Sequence, residues 1–258
     1  MRRKFISLED YHSVAMNQFT ELMLMSLLVA YSIFLTFPIA YKGVSPKGAQ
    51  LLMGLGLGIL IYLIMDLFSG TYVLVEGKIY LSLLLMAPFV LSYLGFHLYS
   101  AMRLDSAKER NYAQVLSLVV SLGIGLQNFT EGLAIGGSLR IGLVSVVVPL
   151  VAGLTLQNVT EGFPILSPFL RTGKVNYSFL FMMYLLGGTP TLLGSILSYY
   201  VASIPLVVVF NSLALGGILF VSLEMYKSLV KNGREFRNVG EIGIVLGLVI
   251  AFLVNLLP

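Results

Sequence analysis

Polar and apolar positions along this chain are sorted into long blocks. Eight predominantly apolar stretches, at 20–41, 49–69, 79–101, 113–137, 141–166, 177–199, 205–228 and 241–257, are separated by short polar or Gly/Pro-marked turns. A bilayer-crossing helix needs about 20 such residues, whereas a membrane β-strand alternates over about ten. The pattern therefore predicts an all-α integral membrane protein: one eight-helix transmembrane domain over 1–258, with residues 1–18 as a polar segment or interfacial helix ahead of it. Glu21 is expected near the N-terminus of the first span, where the helix dipole favours an acid, and Pro38 is expected to bend its exit. No charge falls between Lys174 and Glu224, yet Tyr199 to Pro205 divides that stretch in two. Gly187-Gly188-Thr189-Pro190 predicts a kink or unwound turn at membrane depth.

Two stretches interrupt the apolar rule in the same way. Leu126-Gln127-Asn128-Phe129-Thr130-Glu131-Gly132 returns thirty residues later as Leu156-Gln157-Asn158-Val159-Thr160-Glu161-Gly162. Glu131 is the only charge between Arg110 and Arg140, and Glu161 the only one between Arg140 and Arg171. An uncompensated carboxylate at such a depth costs several kcal/mol or more. At about 100° per residue, Gln127, Asn128 and Glu131 share an arc of about 100°, so two amides and an acid lie on one helix face, and the second copy repeats that face. Consecutive spans run in opposite directions. The two phrases then form an inverted pair whose acids can meet near the midplane, which is the layout of an ion site.

Composition sharpens the class: 57% of the 258 residues are hydrophobic and 11% charged. With both termini outside, eleven of the sixteen Lys and Arg residues fall in inside loops: Lys42 and Lys47, Arg103, Lys108 and Arg110, Arg171 and Lys174, and Lys227, Lys231, Arg234 and Arg237. Arg2, Arg3 and Lys4 vote the other way. Both termini are accordingly expected to be extracytoplasmic, in a multi-pass protein of the cell membrane, and the net charge of +4 gives no support for nucleic-acid binding. There is no cysteine, so thiolate ligands and disulfides are excluded. Glu9, Asp10 and His12 interrupt the N-terminus, so a cleavable signal peptide is not expected.

Other candidates are weaker. Asp66, on the second span, reads either as the lining of an outer cation-gathering vestibule or as an acid that is paired with a donor or snorkels to water. Glu224 reads as a cytoplasmic-side ion site or as a partner of Lys227 at i+3. His97 has no His or acid at i±3 or i±4 and reads as packing; His12 reads as solvated. Glycines at 54, 56 and 58 are expected to admit a neighbouring helix, and those at 123, 125, 132, 136, 137, 153 and 162 to draw spans four and five together. Pro164 removes a backbone donor after Glu161, freeing the Thr160 carbonyl as an extra oxygen.

The doubled Asn-x-x-Glu-Gly on spans four and five, with Gly216-Gly217 and Glu224 further along, resembles the ZIP (Zrt-, Irt-like) family of divalent metal transporters, in its bacterial or archaeal type. The resemblance implies eight spans with both ends outside and metal ligands at Gln127, Asn128, Glu131, Gln157, Asn158 and Glu161, the two acids bridging neighbouring metal positions. It further implies an exit-side acid at Glu224 and an access-side ligand on the span of Asp66. The chain departs from the family in three ways: the first motif position is Gln127 rather than His, Thr replaces the motif proline in both copies, and the sixth-span acid is missing near Thr189-Pro190. Imidazole suits zinc, whereas carboxylate and amide oxygens suit magnesium, calcium and manganese.

The expected activity is transport of a divalent cation of the zinc, iron or manganese class toward the cytoplasm, the metal being substrate and no cofactor being required. The alternatives are a transport-deficient relative serving as metal-binding partner or scaffold, and an intramembrane metal-dependent hydrolase. The last lacks a nucleophile, since no Cys exists, neither motif pairs a Ser with a His, and no His-Glu-x-x-His occurs. The expected partners are metal ions and the lipid bilayer; a homodimer is left open.

Overall fold

The computed structural model describes residues 8–42, 44–104, 109–140, 144–172, 175–201, 203–230 and 233–256, and side chains over a narrower set. The side chains of Arg2, Arg3, Lys4, His12, Arg103, Lys108, Arg110, Arg171, Lys174, Lys231 and Arg234 lie outside the described residues. The elements are α1 (Leu8–Ser32), a 3-10 helix (Ile33–Tyr41), α2 (Pro46–Val75), α3 (Ile79–Leu104), α4 (Glu109–Arg140), α5 (Val144–Thr172), α6 (Tyr177–Tyr200), α7 (Ile204–Val230) and α8 (Gly233–Asn255). No strand occurs among the described residues. Each apolar block has become a helix, the one fold of an open segment that pairs every interior backbone group without water.

Turn chemistry sets several boundaries. Ser45 caps α2 by accepting from the Gly48 amide at 3.1 Å, with Pro46 opening the helix, and Asn176 caps α6 by accepting from the Phe179 amide at 3.2 Å. The α2–α3 turn places Gly77 at φ +73°, where side-chain-bearing residues are strained.

Seven helical segments among the described residues are long and apolar enough to cross a membrane: α1 with its 3-10 continuation, α2, α3, α4, α6, α7 and α8. The chain is a helical multi-pass membrane protein. α5, 29 residues long, carries Gln157, Asn158, Thr160 and Glu161, and α4, bearing the other copy, is the least apolar of the seven. Large apolar side chains point outward on the least buried spans, such as Leu83, Leu91 and Leu98 on α3 and Val245, Phe252 and Leu253 on α8. So much exposed apolar surface is at home in lipid.

Residue pairs give the packing directions. Gln127 and Glu161 meet, as do Ser117 and Ile165, so α4 and α5 are antiparallel. Gln50 on α2 donates to the Leu229 carbonyl of α7 and Asn211 on α7 to the Thr71 hydroxyl of α2, so that pair is antiparallel too. Thr36 meets Tyr184 and Ala30 meets Gly188, which sets α1 and its continuation against α6. Further out, α2 lies along α8 and α3 along α7, while α4 lies along α6 as α5 lies along α1 and the 3-10 helix. Exchanging α1 with α6, α2 with α7, α3 with α8 and α4 with α5 turns each of these contacts into another. The helices exchanged run in opposite directions: the fold is an inverted repeat of two triplets around the α4–α5 pair.

Four details differ from the sequence reading. α1 runs unbroken from Leu8, so no separate interfacial segment precedes the first span among the described residues, and exposed Glu21 lies more than three turns inside the helix, beyond reach of its dipole. The first span winds as a nine-residue 3-10 helix from Ile33, well before Pro38. The Ser32 hydroxyl takes the Val29 carbonyl at 2.8 Å, the Thr36 hydroxyl takes that of Ile33 at 3.1 Å, and Pro38 removes a donor. The Gly187–Pro190 turn is not unwound, because α6 continues through Pro190 to Tyr200. Finally, Gly123, Gly125, Gly132, Gly136 and Gly162 do not draw these two helices together. Gly125, Gly132 and Gly136 lie against the α6 backbone at Leu186, Thr191 and Ser195, and Gly162 lies against Thr36 and Ile33.

Candidate cation site

Two amides and two carboxylates hold α4 to α5. The Gln127 amide nitrogen donates to Glu131 Oε1 at 3.0 Å and to Glu161 Oε1 at 3.2 Å; that of Gln157 donates to Glu131 Oε1 at 2.6 Å and to Glu161 Oε1 at 3.1 Å. Each glutamine therefore spends both amide hydrogens, one per glutamate, and each Oε1 receives two. The i to i+4 spacing places each Glu one turn beyond its own Gln, and the antiparallel crossing places the other Glu beside it.

The neighbouring asparagines also bind the flanking helices, and Asn128 stands close enough to Glu161 to interact with its carboxylate. Asn128 Nδ2 donates to the Gly187 carbonyl of α6 and Asn158 Nδ2 to the Val29 carbonyl of α1, both at 3.0 Å. These contacts are equivalents under the repeat: each phrase holds its partner helix through its Gln and Glu and, through its Asn, one helix of a flanking triplet. The Thr130 and Thr160 hydroxyls close onto the Gln127 and Gln157 carbonyls at 2.6 and 2.7 Å.

The site is rich in oxygens that nothing donates to. Glu131 Oε2, Glu161 Oε2, Gln127 Oε1, Asn128 Oδ1 and Asn158 Oδ1 are buried with no hydrogen-bond partner. Three other buried side-chain atoms among the described residues share that condition, Ser26 Oγ, Thr191 Oγ1 and Asn211 Oδ1. Glu161, Asn128 and Asn158 are fully buried and Gln127 nearly so, whereas Glu131 is partly exposed. Unpaired buried acceptors are costly, and a cation is the partner that would satisfy several at once. No group of three His, Cys, Asp or Glu side chains converges among the described residues, so any ion here is met by two carboxylates supplemented by amide oxygens.

The remaining candidates divide. Asp66 accepts from Asn255 Nδ2 at 3.3 Å and lies close enough to Glu131 for its charge to act there, which fits both of its sequence readings. Glu224 is ion-paired with Lys227 at 2.6 Å, as the i+3 spacing allows. His97 stacks on the Tyr93 ring and meets Phe220 edge-on, as a packing residue does. Nothing along the chain marks Tyr184, whose buried hydroxyl meets Thr36 at 2.8 Å and the Gly162 carbonyl at 2.9 Å, immediately after Glu161. Nor could it single out the Val29 and Gly187 carbonyls, since backbone acceptors have no sequence signature.

Comparison with protein-family models and with curated proteins gives no match. The reading of this site rests on its own geometry.

Proposed function

We propose that this chain carries divalent cations across the cell membrane toward the cytoplasm, through the site between α4 and α5, in the manner of the ZIP family it resembles. α5 is then the eighth span and both termini are extracytoplasmic. The observation that supports this reading most directly is the set of five unpartnered buried oxygens in the two repeated phrases, two of them on glutamates joined through shared donors. Two carboxylates match the charge of a dication, and carboxylate and amide oxygens can replace part of its water shell. Structural glue of the ordinary kind gains about 0.6 kcal/mol per interhelical hydrogen bond, and burying two acids for that purpose would cost more than it returned.

The inverted repeat fits the same reading, because transporters with such repeats bind substrate where the repeats meet. The proposal takes the metal as substrate and assigns no enzymatic step. The test is uptake into proteoliposomes holding the purified protein, over a panel of divalent ions of the zinc, iron and manganese class. Uptake above protein-free vesicles is expected, and Glu131→Gln and Glu161→Gln should each lower it by at least the ~10–100-fold that losing even an outer partner of a metal ligand costs. Absence of uptake for every ion, or wild-type rates in both variants, would refute the reading.

A further inference from the structure

We infer that the site takes a single cation, held by oxygen alone, because the two glutamines occupy the carboxylate oxygens that a second ion would need. This inference rests on the transport reading and departs from the bridged pair of metal positions implied by the family resemblance. A glutamate bridging two ions offers both oxygens, or one oxygen freely to both. Here Oε1 of Glu131 and of Glu161 each accept two amide hydrogens, from Gln127 and Gln157 together. A carboxylate oxygen already bonded to two N–H groups has little lone-pair density left for a metal. One free oxygen per acid remains, Oε2 in both, and both are buried without a partner.

Gln127 completes the argument. Its nitrogen touches both acids, and its carbonyl oxygen is buried and unpartnered, the residue as a whole being 1% exposed. The ligand set is then Glu131 Oε2, Glu161 Oε2 and Gln127 Oε1, with water filling the remaining positions. That all-oxygen set suits a hard dication such as Mn2+, which keeps water readily. The glutamines act chiefly as clamps. A histidine at either position cannot reproduce them, because a neutral imidazole has one N–H where the amide has two.

The experiment uses Mn2+ as probe on the full-length protein in detergent, reading stoichiometry by equilibrium dialysis and electronic state by electron paramagnetic resonance. One Mn2+ per chain with the six-line spectrum of an isolated ion is expected. Two ions per chain with an exchange-coupled spectrum would overturn the clamp and leave the transport reading standing; no binding would remove both. A second arm uses Gln127→His, which gives up one of the bridging hydrogens and is expected to admit a second, coupled ion. A folded Gln127→His protein that still binds one uncoupled ion would show that the glutamine is not what limits occupancy.

Discussion

At the scale of single residues, the site is decided by what stands beside each glutamate. Gln127 and Gln157 supply hydrogens where imidazole would supply a lone pair, which alters the metals the site can favour. In the proposed transporter, Gln127→His should raise zinc uptake relative to manganese, because nitrogen ligands favour the later first-row ions. Competition uptake with both ions present checks this, and an unchanged order would show that position 127 does not face the substrate. The same pair of acids should couple metal to protons. Two facing carboxylates titrate as one unit, and a divalent ion must displace whatever proton they share, so affinity should rise with pH. Calorimetry of metal binding in buffers of different ionisation enthalpy is expected to give buffer-dependent heats; identical heats would mean that no proton moves.

At the scale of elements, glycine decides which helices touch. A Cβ on Gly132 would run into the Thr191 carbonyl of α6, a backbone atom that cannot step aside, whereas a Cβ on Gly137 would meet nothing within 4 Å. Gly132→Ala should therefore cost about 1–3 kcal/mol of stability, in the range of overpacked cores, and Gly137→Ala close to none. Thermal unfolding in detergent checks the difference, and equal melting of the two variants would contradict the packing. The helices themselves were legible in the sequence, since an apolar block of twenty residues has one low-energy fold in lipid. So was the convergence of Gln127, Glu131, Gln157 and Glu161, because the repeat and the 100° step place them on facing stripes. The roles of the glycines and of Asn128 and Asn158 were not legible. Spacing along one helix says which face a residue occupies but leaves open which neighbour covers that face. The 3-10 winding from Ile33 was hidden for a related reason: it depends on competition for single carbonyls by Ser32, Thr36 and the distant Asn158.

At the scale of the whole molecule, two triplets of opposite sense enclose one pair of helices. One turn past Gln127 leads toward one face of the membrane, and one turn past Gln157 leads toward the other, about 6 Å in each direction. Glu131 is partly exposed and near Asp66, whereas Glu161 is sealed, and from Thr160 to Leu170 every residue but Phe163 is buried. The two acids of the site are therefore unequally covered. Because it contains no cysteine, a thiol placed at either acid reports on that side alone. A water-soluble, impermeant maleimide should modify Glu131→Cys from the extracytoplasmic face and spare Glu161→Cys, and the opposite result would reverse the proposed orientation. In the proposed transporter the inverted repeat defines a second posture: if each triplet takes up the arrangement its counterpart now holds, Glu131 becomes the sealed acid and Glu161 the open one. Such a rocking would keep the same helix pairings, since each helix pairing of one half has a counterpart in the other.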